Sequence, residues 1–391
     1  MQSLENTGQQ VIINDGDTAA SVQQQLETVH SNMKEAFPEI ARVAVAIYDH
    51  GTDRLKTFIH STEGAVPFSH YEAALGEVPI LASLAAAHQD RRVSDLTVLG
   101  PDHVRSQKVI EAGYLSSYTR PFFNRGQLIG FLFFDARKKA YFDNITLHHL
   151  STFSHLISLL VINGLTPAQM LRSSVNVARD LSRYRDQETG AHLDRMSRYA
   201  RVIANDIAVE KALSDEFVEF VFLFSPLHDI GKIGIEDSIL LKPAQLTEAE
   251  FAIMKTHVTK GVRMVDAIIG DFGLTDLPHT EMLRNIVRFH HECFDGNGYM
   301  EGLIGEAIPL EARIVMVADI FDALTSKRPY KEAWSVERAL QFLKDKSGTM
   351  LDPRCVNALI ENLSEIETIK ARFTDDEIEE VGFREAYFSE I

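Results

Sequence analysis

Eight side chains with metal-ligand chemistry recur through the second half of the chain: Glu188, His192, His228, Asp229, His257, His290, His291 and Asp319. Glu188 and His192 stand four apart and share a face if that segment is helical, although Gly190 between them opposes a helix. His228 and Asp229 are adjacent in SPLHDIGKIG, with Lys232 one turn later. His257 lies in KTHVTKG, His290 and His291 open HHECFDGNGYMEGL, and Asp319 lies in VMVADIFDALT. Imidazole and carboxylate without thiolate suit iron, manganese, nickel or zinc and disfavour a structural zinc site. Eight donors exceed the needs of one ion, so two or three ions are the economical count. The adjacent His–Asp pair has its own rationale, because a carboxylate can bridge two ions while an imidazole binds one. Bridged ions activate water and stabilise charge developing on a phosphoryl group. Lys232 would bring an ammonium to the same place, to stabilise phosphate charge or assist a leaving alkoxide.

A single histidine is more often a satisfied core or surface residue than a ligand, and His148, His149, His155 and His279 are read that way. Joint occurrence within one helical region carries the metal reading. Cys293 sits inside the double-histidine motif but has no CxxC partner, so it is not counted as a ligand.

Stepping outward to the elements, residues 1–20 are polar and read as a disordered lead. A helical pattern covers Ser21 to Ala36. RVAVAIYD and RLKTFIHS, separated by HGTD, read as a hairpin, and a helix follows around Pro79 to His88. YLSSYTRPFF and LIGFLFFDA, joined by NRGQ, form a second hairpin, closed by a helix over 143–162. NGLTPAQ reads as a short break before a helix over 167–186, with Pro167 suited to a first turn. From there the chain is nearly all helical to about residue 363, so the donors belong to a helix bundle, an architecture that builds metal sites from inward-facing side chains. The second hairpin and its closing helix resemble the end of a GAF domain. The expected division is 21–163 as a GAF-like regulatory domain and 164–391 as the domain bearing the donors.

The motifs ETGAH, HDIGKIGI, KTHVTKG, HHECFDGNGYMEGL and DIFDALTSKRPYK, in that order, resemble the HD-GYP family of HD-domain metallophosphohydrolases. The resemblance implies an α+β chain: an N-terminal GAF-like sensor with an antiparallel sheet, then an all-α HD-GYP bundle. It implies metal-dependent hydrolysis of cyclic di-GMP to linear pGpG, and on to GMP, in bacterial second-messenger signalling. It further implies non-haem iron or manganese. His192, His228, Asp229 and Asp319 would hold one ion, and His257, His290 and His291 a second, with Asp229 bridging. Glu188 would accompany a third. Lys232 matches the active-site lysine, and Arg328 and Lys331 match positions that contact substrate phosphate. Tyr299 is expected to reach the substrate. The departure is Met300, where the family has proline after Gly-Tyr; no ligand is lost, but loop stiffness and substrate choice are put in question. The alternatives are a phosphodiesterase of hybrid cyclic GMP–AMP, and a dinucleotide sensor acting through protein contacts.

Composition sets the outer bounds. The formal charge of −17 over 391 residues argues against duplex nucleic acid, which needs clustered Lys and Arg. The chain has two cysteines and so no disulfide framework. Apolar runs such as FVEFVFLF and LISLLVI fall short of the roughly 20 residues that span a bilayer. A cytoplasmic protein is expected, dimerising through the GAF-like domain and the helix that leaves it.

Overall fold

The amphipathic stretch after Ser21 folds as α1 (Val22–Met33), entered by a reciprocal cap. The Ser21 hydroxyl accepts from the Gln24 N–H and the Gln24 side chain accepts from the Ser21 N–H, satisfying two donors at the helix entrance. The computed structural model describes residues 20–99, 104–181, 190–271, 273–274, 279–326 and 332–374. Glu188, Arg328, Lys331 and the lead over 1–19 lie outside the described residues.

The hairpins form as read. β1 (Ile40–Asp49) pairs with β2 (Arg54–Thr62), and β5 (Ser116–Asn124) with β6 (Gln127–Ala136). Two three-residue edge strands, β3 (Glu72–Ala74) and β4 (Arg91–Val93), extend the sheet. The order is β3-β2-β1-β6-β5-β4, antiparallel throughout. α2 (Pro79–Ala87) and α3 (Val104–Glu111) lie between the hairpins in sequence. The chain is thus α+β, with a GAF-like antiparallel sheet unit followed by a helical one.

The expected break at NGLTPAQ does not occur. α4 runs unbroken from Asn144 to Leu181 with Pro167 inside it. Proline removes one intrahelical hydrogen bond, and tertiary packing overrides it here. Leu150, Ile157, Val161, Leu165, Ala168 and Leu171 form a stripe that is at most 6% exposed and joins the main core. The expected helices over 143–162 and 167–186 therefore merge into one. The segment Asn144–Ser174 is long and apolar enough, by length and composition, to cross a membrane.

The remaining helices are α5 (Gly190–Lys211), α6 (Asp215–Phe224), α7 (Asp237–Leu240), α8 (Glu248–Lys255), α9 (His257–Asp271), α10 (Thr280–Phe289), α11 (Leu310–Thr325), α12 (Val336–Lys346), α13 (Pro353–Glu361) and α14 (Leu363–Arg372). One core runs through both units, from Val22 and Leu132 to Met196, Phe220 and Phe321. Buried charges also join them. Arg198 and Arg201 on α5 donate to Asp49 (3.1 Å) and Glu72 (2.8 Å) of the sheet. The Glu216 carboxylate on α6 accepts the Val22 and Gln23 N–H groups at the start of α1 (2.8 and 3.0 Å). A carboxylate at a helix N-terminus also meets the positive end of its dipole.

Candidate metal centre

His192 stands in the first turn of α5, where the helix begins at Gly190. α6 is buried along most of its length and hands the chain to a 3-10 turn over Ser225–Leu227, which ends at His228. Asp229 follows, then a second tight turn over Ile230–Gly234 carrying Lys232. His257 is the first residue of α9. α10 ends at Phe289 with His290 as its C-cap, so His290 and His291 lie where the chain leaves the helix and both can turn inward. Asp319 comes from the middle of α11.

These residues converge as two groups whose donor atoms lie within 4.8 Å of one another: His192, His228 and Asp319, and Asp229, His257, His290 and His291. Asp229 spans them. Its Oδ2 lies 3.2 Å from His228 Nε2, while its Oδ1 lies 3.1 Å from His257 Nε2 and 3.5 Å from His290 Nε2. His192 Nε2 is 3.6 Å from Asp319 Oδ1.

The outer ring nitrogens decide what faces inward. His228 Nδ1 meets the Ser225 carbonyl (2.8 Å), His257 Nδ1 the Met254 carbonyl (2.8 Å) and His290 Nδ1 the Ile286 carbonyl (3.0 Å). A carbonyl only accepts, so each Nδ1 carries the proton and each Nε2 presents a lone pair to the centre. His192 is held likewise, with Nδ1 2.8 Å from the Asp322 carboxylate. Burial alone would raise Asp322, but His192 and Arg195 bring it down to about 2. It therefore stays ionised and accepts from His192.

Burial lowers the His290 pKa, and burial, together with the repulsion that two adjacent imidazolium rings would suffer, holds His291 well below the usual imidazole range. Burial would raise Asp229, but the Lys232 ammonium at 2.8 Å and His228 hold it well below the carboxylate range. His290 and His291 thus offer neutral imidazole and Asp229 an ionised carboxylate. Nε2 of His257 and His290 and Oδ1 of Asp229 are buried and make no hydrogen bond. Buried acceptors facing one another are costly unless a cation sits between them. The residues fit divalent metal.

Tyr299 packs against the second group, its ring 4.8 Å from that of His291 and 30° from parallel. Burial, then Asp229, raises its pKa, so the phenol keeps its proton. Gly298 permits this approach, since a β-carbon there would fall 2.2 Å from Cys293 N and 2.5 Å from the His291 carbonyl oxygen. Met300 points outward and its peptide to Tyr299 is cis. His279, read as an ordinary histidine, lies outside the centre with Nε2 3.2 Å from Glu216.

Three positioning residues escaped the sequence reading. Asp322 orients His192, and Arg195 clamps Asp322 through Nε (2.7 Å) and Nη2 (3.0 Å). Both stand three residues after an expected ligand, Asp319 and His192, and that helical spacing was the available signal. Glu292 is buried and accepts the Glu301, Gly302 and Leu303 N–H groups at 2.6, 3.1 and 3.2 Å. Its signal was weaker: a carboxylate beside two ligands and ahead of a glycine-rich loop.

A helix bundle converging His and Asp from five segments is the build of an HD domain, and residues 186–355 match the family described as HD domain. The chain is 36% identical over 299 residues to the cyclic di-GMP phosphodiesterase response regulator RpfG of Xanthomonas campestris, covering 74% of this chain and 72% of that one. It belongs to the HD-domain phosphodiesterase family that this relative represents. It is also 36% identical over 191 residues to the 3'3'-cGAMP-specific phosphodiesterase 2 of Vibrio cholerae, covering 49% of this chain and 34% of that one. Two further curated cyclic di-GMP phosphodiesterases are spanned over 46% and 52% of their length. The GAF domain of Acinetobacter phosphoenolpyruvate-protein phosphotransferase is similar at 14% identity and a TM-score of 0.30, covering 38% of this chain and 86% of that one.

Proposed function

We propose that the chain is a cytoplasmic phosphodiesterase that opens cyclic di-GMP to linear pGpG and cleaves that product on to GMP, in bacterial second-messenger signalling. The observation that carries this reading is Asp229, whose two oxygens face two separate donor groups. His192, His228, Asp229 and Asp319 would hold one ion. His257, His290 and His291 would hold a second, sharing Asp229, and Glu188 would serve a third. Iron or manganese is the proposed metal, matching donors without thiolate. When bound, the ions supply Lewis-acid charge and a water of lowered pKa.

The chain's own groups do the rest. Lys232, with Nζ beside Asp229 Oδ2, stabilises the phosphoryl charge and the leaving 3′-oxygen. The Tyr299 phenol, kept protonated by burial, donates to substrate at the edge of the centre. Arg328 and Lys331 are proposed to bind the phosphates. Asp322 and Arg195 hold His192 in register.

Anaerobically purified protein loaded with iron or manganese should convert cyclic di-GMP to the linear dinucleotide on chromatography, and Asp229→Ala should abolish turnover. Absence of turnover by metal-replete, reduced protein would sink the reading. Hybrid cyclic GMP–AMP is the second reading, favoured by the similarity to the cGAMP-specific relative; parallel turnover of both dinucleotides separates them.

Residues 21–163 are proposed to regulate residues 164–391 within a homodimer built on the GAF-like unit and α4. Exposed Ile145, Leu156, Leu159 and Met170 on α4 support that contact. Sedimentation of the wild type as a monomer at micromolar concentration would contradict it.

A further inference from the structure

α8 ends two residues before the proposed ligand His257, and its Phe251 side chain is 47% exposed. An exposed aromatic ring is ordinary taken alone; its neighbours make this one informative. The Tyr299 ring lies 4.8 Å from His291, and the Phe251 ring lies 6.3 Å from Tyr299, nearly perpendicular to it at 81°. A row of three rings therefore leads outward from the second donor group. Lys255, four residues after Phe251 and on the same helix face, caps the row. Its Nζ is 5.3 Å from the Phe251 centroid and 5.7 Å from that of Tyr299.

Resting on the reading of the centre as a cyclic-dinucleotide hydrolase, we propose that Phe251 and Lys255 form a nucleobase ledge, on which one purine of the substrate stacks while its phosphate lies at the metal centre. A flat π-face and an anionic group in one molecule match a flat ring and an ammonium side by side. Aromatic stacking and a nearby cation are the elements with which proteins hold unpaired bases. A purely apolar partner would leave Lys255 unused, and a simple phosphodiester would leave Phe251 unused. Stacking tolerates any base, so the ledge gives affinity for cyclic purine dinucleotides as a class. Discrimination between guanine and adenine lies elsewhere.

The test compares metal-loaded full-length wild type, Phe251→Ala and Phe251→Trp on cyclic di-GMP and cyclic GMP–AMP. Phe251→Ala should raise KM on the order of tenfold, with kcat falling less and bound metal unchanged, and Phe251→Trp should restore KM. An unchanged KM overturns the ledge. So does a fall in kcat that tracks loss of metal, which would make Phe251 a prop for His257. Fluorescence of a 2-aminopurine-substituted cyclic dinucleotide supplies a readout independent of turnover. Quenching by the wild type that is relieved in Phe251→Ala supports the ledge, and equal emission from both overturns it. Failure of the wild type to hydrolyse either dinucleotide refutes the catalytic reading alone, because the emission still decides the ledge.

Discussion

Replacing Gly231 by alanine should separate the two halves of the centre. A β-carbon on Gly231 would fall 1.8 Å from the His257 carbonyl oxygen, 2.5 Å from Gly261 N and 2.8 Å from the His257 carbonyl carbon. All three are backbone atoms, so no side-chain rotation relieves the clash. Reaching ordinary contact requires the Ile230–Gly234 turn and α9 to part by roughly 1.5 Å, and overpacking of this kind costs about 1–3 kcal/mol. The turn follows directly from Asp229, and α9 begins with His257, so the parting acts on the 3.1 Å contact between them. Misplacement of about 1 Å near reacting groups costs about 100-fold in rate. Gly231→Ala should therefore lose about 100-fold in kcat/KM and bind less metal. Gly234→Ala is the matched control, because its β-carbon meets Lys260 Cδ at 3.0 Å and Met264 Cε at 3.4 Å, both on flexible side chains. Turnover, metal per chain and thermal midpoint are measured on all three proteins. Wild-type metal content and rate in Gly231→Ala, or an equal loss in Gly234→Ala, refutes the reasoning.

Asp322→Asn should weaken metal binding about 10–100-fold, read by competition with a chelator, because an amide no longer fixes the His192 proton on Nδ1. The Asp322 carboxyl is depressed to about 2 in the fold, so its stabilisation is full above the unfolded value and is lost as pH falls from about 4 toward about 2. Linkage makes this about 2 kcal/mol. Urea unfolding should show the gap between wild type and Asp322→Asn narrowing by that amount on acidification, whereas a constant gap contradicts it. Glu292→Ala removes a charged acceptor from three N–H groups, each such bond being worth about 1.5–3 kcal/mol. Hydrogen exchange at Glu301, Gly302 and Leu303 should accelerate by at least about tenfold, and unchanged protection argues against the clamp. Glu216→Ala should speed exchange at Val22 and Gln23 and lower the thermal midpoint; a lower midpoint with α1 protection intact would place the effect elsewhere.

Much of the candidate centre was legible because its donor residues are marked by local chemistry. Adjacent HD and HH pairs, each next to a glycine-bearing turn, stand out from any helical pattern, and both long hairpins announce themselves by alternation. What stayed hidden depends on tertiary partners. β3 and β4 are three residues each, too short for a period to show, and exist by pairing with β2 and β5. Pro167 and Gly164 read as a break, yet the core stripe of α4 continues through them. The role of Asp322 appears only once α5 and α11 pack together, since its partners His192 and Arg195 are about 130 residues distant. The two glycines with the closest contacts at the centre, Gly231 and Gly298, looked like ordinary turn residues.

The buried charges between the units bear on the metal centre as mechanics. α5 carries His192, Arg195, Arg198 and Arg201 at steps of three, and Arg198 and Arg201 grip the sheet. Glu216 holds the start of α1 and touches His279, the N-cap of α10, whose C-cap is His290. The first donor group is thus strutted to the sheet and the second to α1. The two donor groups that Asp229 spans thus rest on different parts of the N-terminal unit, like the jaws of a caliper, one seated on the sheet and the other on α1.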